Sequence, residues 1–170
     1  YSDKDAYYLQ ELKYDAVDIP PTVAKPFLPS NTSPASEVDV KIDQAYLGSC
    51  TNGRIEDLRI AAKILKGKKI NPEVRMIVVP ATKEVFNQAL KEGLIEIFEN
   101  ADCFVCGPTC GACLGGYMGI LADGEKCVAT TNRNFIGRMG HKNSEVYLAN
   151  PAVVAASAIE GRIVDPREVL

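Results

Sequence analysis

Four of the six cysteines fall between Cys103 and Cys113, and a fifth, Cys50, sits in the turn GSCTNGR. Cys110 and Cys113 form a Cys-x-x-Cys pair in the glycine-rich loop GPTCGACLGG, where no bulky side chain blocks approach to the backbone. Such a pair supplies two soft ligands from one loop, and a third thiolate can come from elsewhere in the fold. Thiolates select zinc or an iron–sulfur cluster over oxygen-loving cations. With His141 as the single histidine, neither a histidine-rich zinc site nor a histidine acid–base pair is expected. His141 itself reads as a surface or packing residue.

The six thiols are not equivalent. Cys103 lies inside the apolar stretch ADCFVCG, where a buried thiol serves as a small hydrophobe, and Cys127 at the start of another apolar stretch reads the same way. Cys106 is ambiguous: it stands beside Gly107, close to the loop pair, yet is less well placed than either loop cysteine. Taken alone, Cys103-x-x-Cys106 and Cys110-x-x-Cys113 could also make a four-thiolate zinc site. The short spacer between those pairs argues against it, since structural zinc sites place a longer loop there. Alternation along a strand also points Cys103 away from its neighbours.

The elements that must position these residues are regular from Lys41 onward. Ile42 to Leu47 reads as a strand ending at Gly48. A helix follows from near Arg54, with Thr51 or Asn52 as cap, a stripe of Ile55, Leu58, Ala61, Ala62 and Leu65, and Gly67 as stop. Val74 to Val79, apolar apart from Arg75, is a run of the kind found in parallel strands covered on both faces. Thr82 caps a second helix through Leu90, stopped by Gly93. Asp102–Cys106 and Lys126–Thr130 read as further strands. The last helix is punctuated by Asn150 as N-cap, Pro151 as first residue and Gly161 beyond its end. Strands and helices alternating at this spacing predict an α/β fold: a mostly parallel sheet flanked by helices. Ligands bind such sheets outside the carboxyl ends of the strands. Cys50 follows the first of these strands, and Cys110 and Cys113 follow the third, so all three belong to one rim.

Residues 1–38 differ. Five prolines lie between Pro20 and Pro34, a density that disfavours helix and most sheet pairing. The sequence predicts a proline-rich arm or linker over 1–38, with a short helix or strand before Pro20, and an α/β domain over 39–170. The chain opens at Tyr1 without an initiator Met, which reads as a piece of something longer. Apolar residues make up 46% of its 170 residues and charged residues 24%, as in a globular protein. A formal charge of −3 offers no basic field for nucleic acid or an anionic membrane. No apolar run is long enough to span a bilayer. Clustered cysteines without a signal peptide point to a reducing compartment, the cytoplasm.

The motifs GSCTNGR, GPTCGACLG and NRNFIGRMG, in this order and with the ending AIEGRIVDP, resemble the large subunit of the aconitase-type hydro-lyases, nearest to their isopropylmalate-isomerising branch. The resemblance runs from the proline-rich arm to the C-terminus and implies the third, α/β domain of that architecture. It further implies a 4Fe–4S cluster held by Cys50, Cys110 and Cys113, with one iron left free of protein ligands to act as a Lewis acid. Cys106 is then a bystander, since a fourth thiolate would close the site. In NRNFIGR, the resemblance gives Arg133 and Arg138 contacts to the carboxylates of a dicarboxylate substrate and puts Asn132 beside the cluster. Guanidinium forks suit that task.

The same resemblance implies partners: a small subunit carrying the swivelling domain with the catalytic serine, and preceding domains of the same large subunit with the histidine and acidic groups. Nothing matching those groups occurs here, so the chain alone is expected to be a silent C-terminal fragment. After VAKP the relatives continue with a histidine and an acidic residue, whereas Phe27 and Ser30 stand here. Homoaconitate or citramalate-type substrates remain alternatives, and a non-catalytic zinc-binding or interaction module is the alternative of a different class. A nucleotide-binding domain is disfavoured, because no GxGxxG or P-loop follows the first strand.

Overall fold

In a computed structural model, which describes residues 1–170, the centre of the molecule is a run of parallel strands. An antiparallel hairpin of β1 (Thr22–Ala24) and β2 (Thr32–Pro34) precedes β3 (Gln44–Gly48), β4 (Arg75–Val79), β5 (Phe104–Val105), β6 (Lys126–Ala129) and β7 (Glu145–Leu148). The sheet order is β2-β1-β7-β6-β3-β4-β5. Pairing is parallel from β7 through β5, and β1 joins β7 antiparallel at Ala24 and Leu148. The helices are α1 (Ser49–Asn52), α2 (Ile55–Leu65), α3 (Lys83–Lys91), α4 (Leu94–Asn100) and α5 (Pro151–Glu160). The α/β fold with a mostly parallel sheet is therefore as expected.

Strand alternation divides the core in two. Ala45, Leu47, Met76, Val78 and Val128 meet the apolar stripes of α2, α4 and α5 on one face. Tyr46, Ile77, Val79, Cys127 and Ala129 point the other way and are covered by Ala112, Cys113, Leu121 and Met139, which belong to irregular chain. Fully burying a side chain such as Leu58 contributes about 1.5–3 kcal/mol. One face is thus walled by helices, the other by the loops after β5 and β6.

Several local expectations need correction. Neither Thr51 nor Asn52 caps α2, because both lie in the single turn α1; the cap is Arg54, whose N–H donates to the Asp57 carboxylate at 3.1 Å. Gly93 ends α3 as expected, but its left-handed φ of 73° turns the chain straight into α4. The strand expected over Asp102–Cys106 shrinks to two residues, since Asp102 is itself left-handed (φ 68°) and Cys103 turns into the helix-side core. β7, β1 and β2 were not foreseen. Thr82, Asn150, Pro151 and Gly161 act as read: Thr82 Oγ1 accepts from Val85 N–H, and Asn150 Oδ1 from Val153 N–H.

The connections place the site. From β3 the chain leaves through α2 on the helical face, whereas from neighbouring β6 it leaves over the opposite face, where Met139 packs. The crevice outside the carboxyl ends of β3 and β6 is therefore the topological switch point, where open α/β sheets bind ligands.

Candidate functional site at the carboxyl rim of the sheet

The first wall of the crevice is the turn after β3. Gly48 has φ 118°, and a Cβ there would stand 2.0 Å from the Val79 carbonyl oxygen, so only glycine fits. Ser49 follows in the left-handed region at φ 62°. Gly48 N–H donates to Thr130 Oγ1 at 2.8 Å, and Asn52 Nδ2 donates to the Thr130 carbonyl at 2.6 Å. These bonds latch the turn to the end of β6 and leave Cys50 exposed on α1.

The second wall is the loop after β5. Cys106 N–H donates to the Val78 carbonyl at 3.1 Å, and the chain then folds back over the loop face of the sheet. Cys110 is exposed and Cys113 buried; Cys113 N–H donates to the Cys110 carbonyl at 3.0 Å, closing the Cys-x-x-Cys turn.

The third wall is the loop after β6. Asn132 and Arg133 are exposed, and Arg133 Nη1 donates to the Asn132 carbonyl at 2.8 Å. Asn134 is buried and donates through Nδ2 to the Lys25 carbonyl at 2.9 Å, tying the proline-rich segment to the site. Arg138 is half-buried. Its guanidinium lies 5.4 Å from the Phe135 ring centroid, and its Nη2 approaches Cys113 Sγ at 3.5 Å.

Polar side-chain atoms that are buried without a partner are few, namely Ser49 Oγ, Thr131 Oγ1, Asn134 Oδ1 and Arg138 Nε. All four belong to the turn after β3 or the loop after β6. Buried polar groups are normally paired. Their concentration at this crevice marks a place where a bound group or ordered water would supply the partners.

Of the residues singled out in the sequence, Arg138 and Cys113 are in contact. No three or more His, Cys, Asp or Glu side chains gather closely enough to hold a single metal ion. A polynuclear cluster is wider than one ion and takes thiolates set farther apart. The donor set suits such a group: Cys50, Cys110 and Cys113 are all free thiols, without a carboxylate or imidazole among them. Cys103 lies in the helix-side core and Cys113 in the loop-side core, so the two are on opposite faces and share no four-thiolate zinc site. Burial pushes the Cys103 and Cys127 thiols up to about 12, as suits inert packing residues, and raises that of Cys106 too. His141 sits at the surface with its Nδ1 3.2 Å from Asp123.

Ser49, Thr130, Thr131 and Asn134 also shape the site and were not singled out. Their signal was position alone: each lies in or beside the GSCTN and NRNF motifs.

Residues 31–161 match the family model described as the aconitase family (aconitate hydratase). Over its whole length the chain is 66% identical to the 3-isopropylmalate dehydratase large subunit of Halothermothrix orenii. Over 99% of its length it is 63% identical to that of Thermodesulfovibrio yellowstonii and 57% identical to large subunit 1 of Methanopyrus kandleri. It spans 41%, 40% and 40% of those proteins respectively, about two-fifths of their length.

Proposed function

The chain belongs to the aconitase family, and from that premise we propose that it is part of a 3-isopropylmalate dehydratase large subunit. That enzyme would be a hydro-lyase interconverting 2- and 3-isopropylmalate by dehydration and rehydration in leucine biosynthesis. The identity to relatives so named supports this, and one observation carries it: the Arg138 guanidinium, suited to gripping a carboxylate, lies 3.5 Å from the free thiol of Cys113, suited to holding a soft metal.

Cys50, Cys110 and Cys113 would hold a 4Fe–4S cluster. Bound there, the cluster would supply Lewis-acid chemistry towards the substrate's hydroxyl group. The chain's own residues bind and orient the dicarboxylate. Arg138 rests on Phe135, which fixes the plane of its fork, and its partnerless Nε offers a second donor for a two-point grip on a carboxylate. Arg133, exposed and bonded only to its neighbour's carbonyl, is free to turn towards the other carboxylate. The exposed Asn132 supplies an amide at the mouth. Removal of the carbon-bound proton would fall to a serine on a small subunit, and handling of the hydroxyl to histidine and acidic groups on the preceding domains of the large subunit, all outside this chain. A homoaconitate or citramalate-type substrate would use the same residues. No helix is long and apolar enough to cross a membrane, and a thiolate-held cluster suits the cytoplasm.

The test is iron and acid-labile sulfide content after anaerobic reconstitution of the full-length protein, with hydratase activity assayed after adding the small subunit. Iron and sulfide in equal amount, with turnover of isopropylmalate, are expected. A colourless protein carrying one zinc per chain would replace the hydro-lyase with the zinc-module alternative.

A further inference from the structure

Tyr46 is fully buried in the middle of β3, yet it carries a hydroxyl. A phenylalanine would fill the same space, so the oxygen needs its own explanation. Its partner is the backbone carbonyl of Cys110, which it meets at 2.9 Å. That carbonyl also accepts the Cys113 N–H at 3.0 Å. The phenol thus takes the second lone pair of the oxygen that closes the Cys-x-x-Cys turn. Gly111 adjoins this contact in the left-handed region at φ 51°, and a Cβ there would lie 2.6 Å from the Tyr46 hydroxyl. The loop backbone therefore rests directly on the phenol.

A second anchor stands two residues earlier on the same face of β3. Gln44, also fully buried, donates through Nε2 to the Gly119 carbonyl at 2.9 Å. Gly119 likewise approaches the sheet closely, its Cβ position lying 2.4 Å from Ile77 Cδ1. Residues i and i+2 of a strand share a face, so one central strand grips the cysteine loop at Cys110 and again at Gly119. Between these grips lie Cys113 and the turn that presents it.

We propose that Tyr46 is a positioning residue: its hydroxyl holds the Cys110 carbonyl on the sheet and so presets the placement of the Cys110 and Cys113 thiols before any metal group binds. This deepens the proposed cluster site and rests on it for its purpose, although the contact itself belongs to this chain alone.

The experiment compares Tyr46→Phe with the wild type in the full-length protein freed of iron. The rate of iodoacetamide alkylation at Cys113 is read by mass spectrometry against that at Cys50 in the same chain, which corrects for global effects. Loss of one hydrogen bond at the turn should raise the Cys113-to-Cys50 ratio about fivefold. Tyr147→Phe is the control, because it removes another buried phenol hydroxyl, bonded to Glu145 at 2.6 Å, from the helical face. That variant should leave the ratio unchanged. After reconstitution and one-electron reduction with dithionite, Tyr46→Phe should also alter the electron paramagnetic resonance line shape of the cluster, a change that a loss of global stability alone would not produce. An unchanged ratio in Tyr46→Phe, or an equal rise in Tyr147→Phe, would overturn the proposal. A raised ratio in a protein whose wild type takes up no iron would leave the positioning role standing and remove the cluster instead.

Discussion

Arg138 Nη2 lies 3.5 Å from Cys113 Sγ, so the group expected to grip substrate also touches a thiol expected to bind metal. Arg133, by contrast, reaches only the carbonyl of its neighbour Asn132. The two arginines of NRNFIGR are therefore not equivalent. Arg138 is built into the wall of the crevice, and Arg133 stands at its mouth.

Replacing either arginine by lysine removes the planar fork and should lower kcat/KM in the complete enzyme by about one to two decades, or roughly 1.5–3 kcal/mol. The contrast lies in the thiol: Arg138→Lys should also change the alkylation rate of Cys113 in the iron-free protein, whereas Arg133→Lys should not. Kinetics and alkylation measured on one preparation decide this. Wild-type kinetics in both variants would make these arginines ordinary surface charges.

Cys113→Ser should abolish iron uptake and hydratase activity while the melting curve of the iron-free protein moves little. Cys103→Ser should do the reverse. Its hydroxyl would be buried among apolar side chains without a partner, at a cost of about 1–3 kcal/mol in urea denaturation, and iron uptake should survive. Iron uptake by Cys113→Ser equal to wild type would remove Cys113 from the ligand set.

In the folded, iron-free chain, the exposed Cys50 and Cys110 should alkylate first, and the buried Cys103 and Cys127 only on unfolding. Mass spectrometry over a time course gives the order directly. Early modification of Cys103 would contradict its place in the helix-side core.

Gly48→Ala forces a Cβ into the Val79 carbonyl and an alanine into φ 118°. The backbone term alone should cost about 1–3 kcal/mol, before any clash. Urea denaturation measures the loss, and iron content should fall with it, because the displaced turn carries Cys50. A fully stable alanine variant would mean that the turn after β3 can relax.

Asp165, packed beneath the C-terminal turn, is held below the usual carboxylate range, first by the hydrogen bonds from the Arg167 side chain. A depressed folded value means that the contribution is present above the unfolded value of about 3.9 and is lost as pH falls through the lower folded one. The stability gap between wild type and Asp165→Asn should accordingly be widest near neutrality and close in acid. Urea curves at neutral and acid pH test this, and a gap independent of pH would assign the role to shape alone.

The sheet was legible where the signals were local. Met76–Val79 is apolar without interruption because this part of β4 is covered on both faces, and Asn150-Pro151 with Gly161 brackets α5 in three residues. The hairpin β1–β2 was hidden by its prolines, which fall outside the strands except for Pro34 at the end of edge strand β2, where a missing N–H costs little. α4 was hidden behind Gly93, a true stop for α3 that also redirects the chain. The thiols of the candidate site stand out in the sequence as spacing. Tyr46 does not, since a tyrosine in a strand is an ordinary strand former, and only the fold reveals what its hydroxyl meets. The unpaired Ser49 Oγ and Arg138 Nε are likewise properties of burial, which spacing does not encode.

On the loop face, the ten-residue core takes Ala112 and Cys113 from the same segment that offers the thiols. The mouth of the site is also the lid of that core. If these thiols hold the proposed cluster, damage to them, such as alkylation of Cys113, would bear directly on the cover over Tyr46, Ile77 and Ala129 and could wet apolar surface that is sealed in the intact fold.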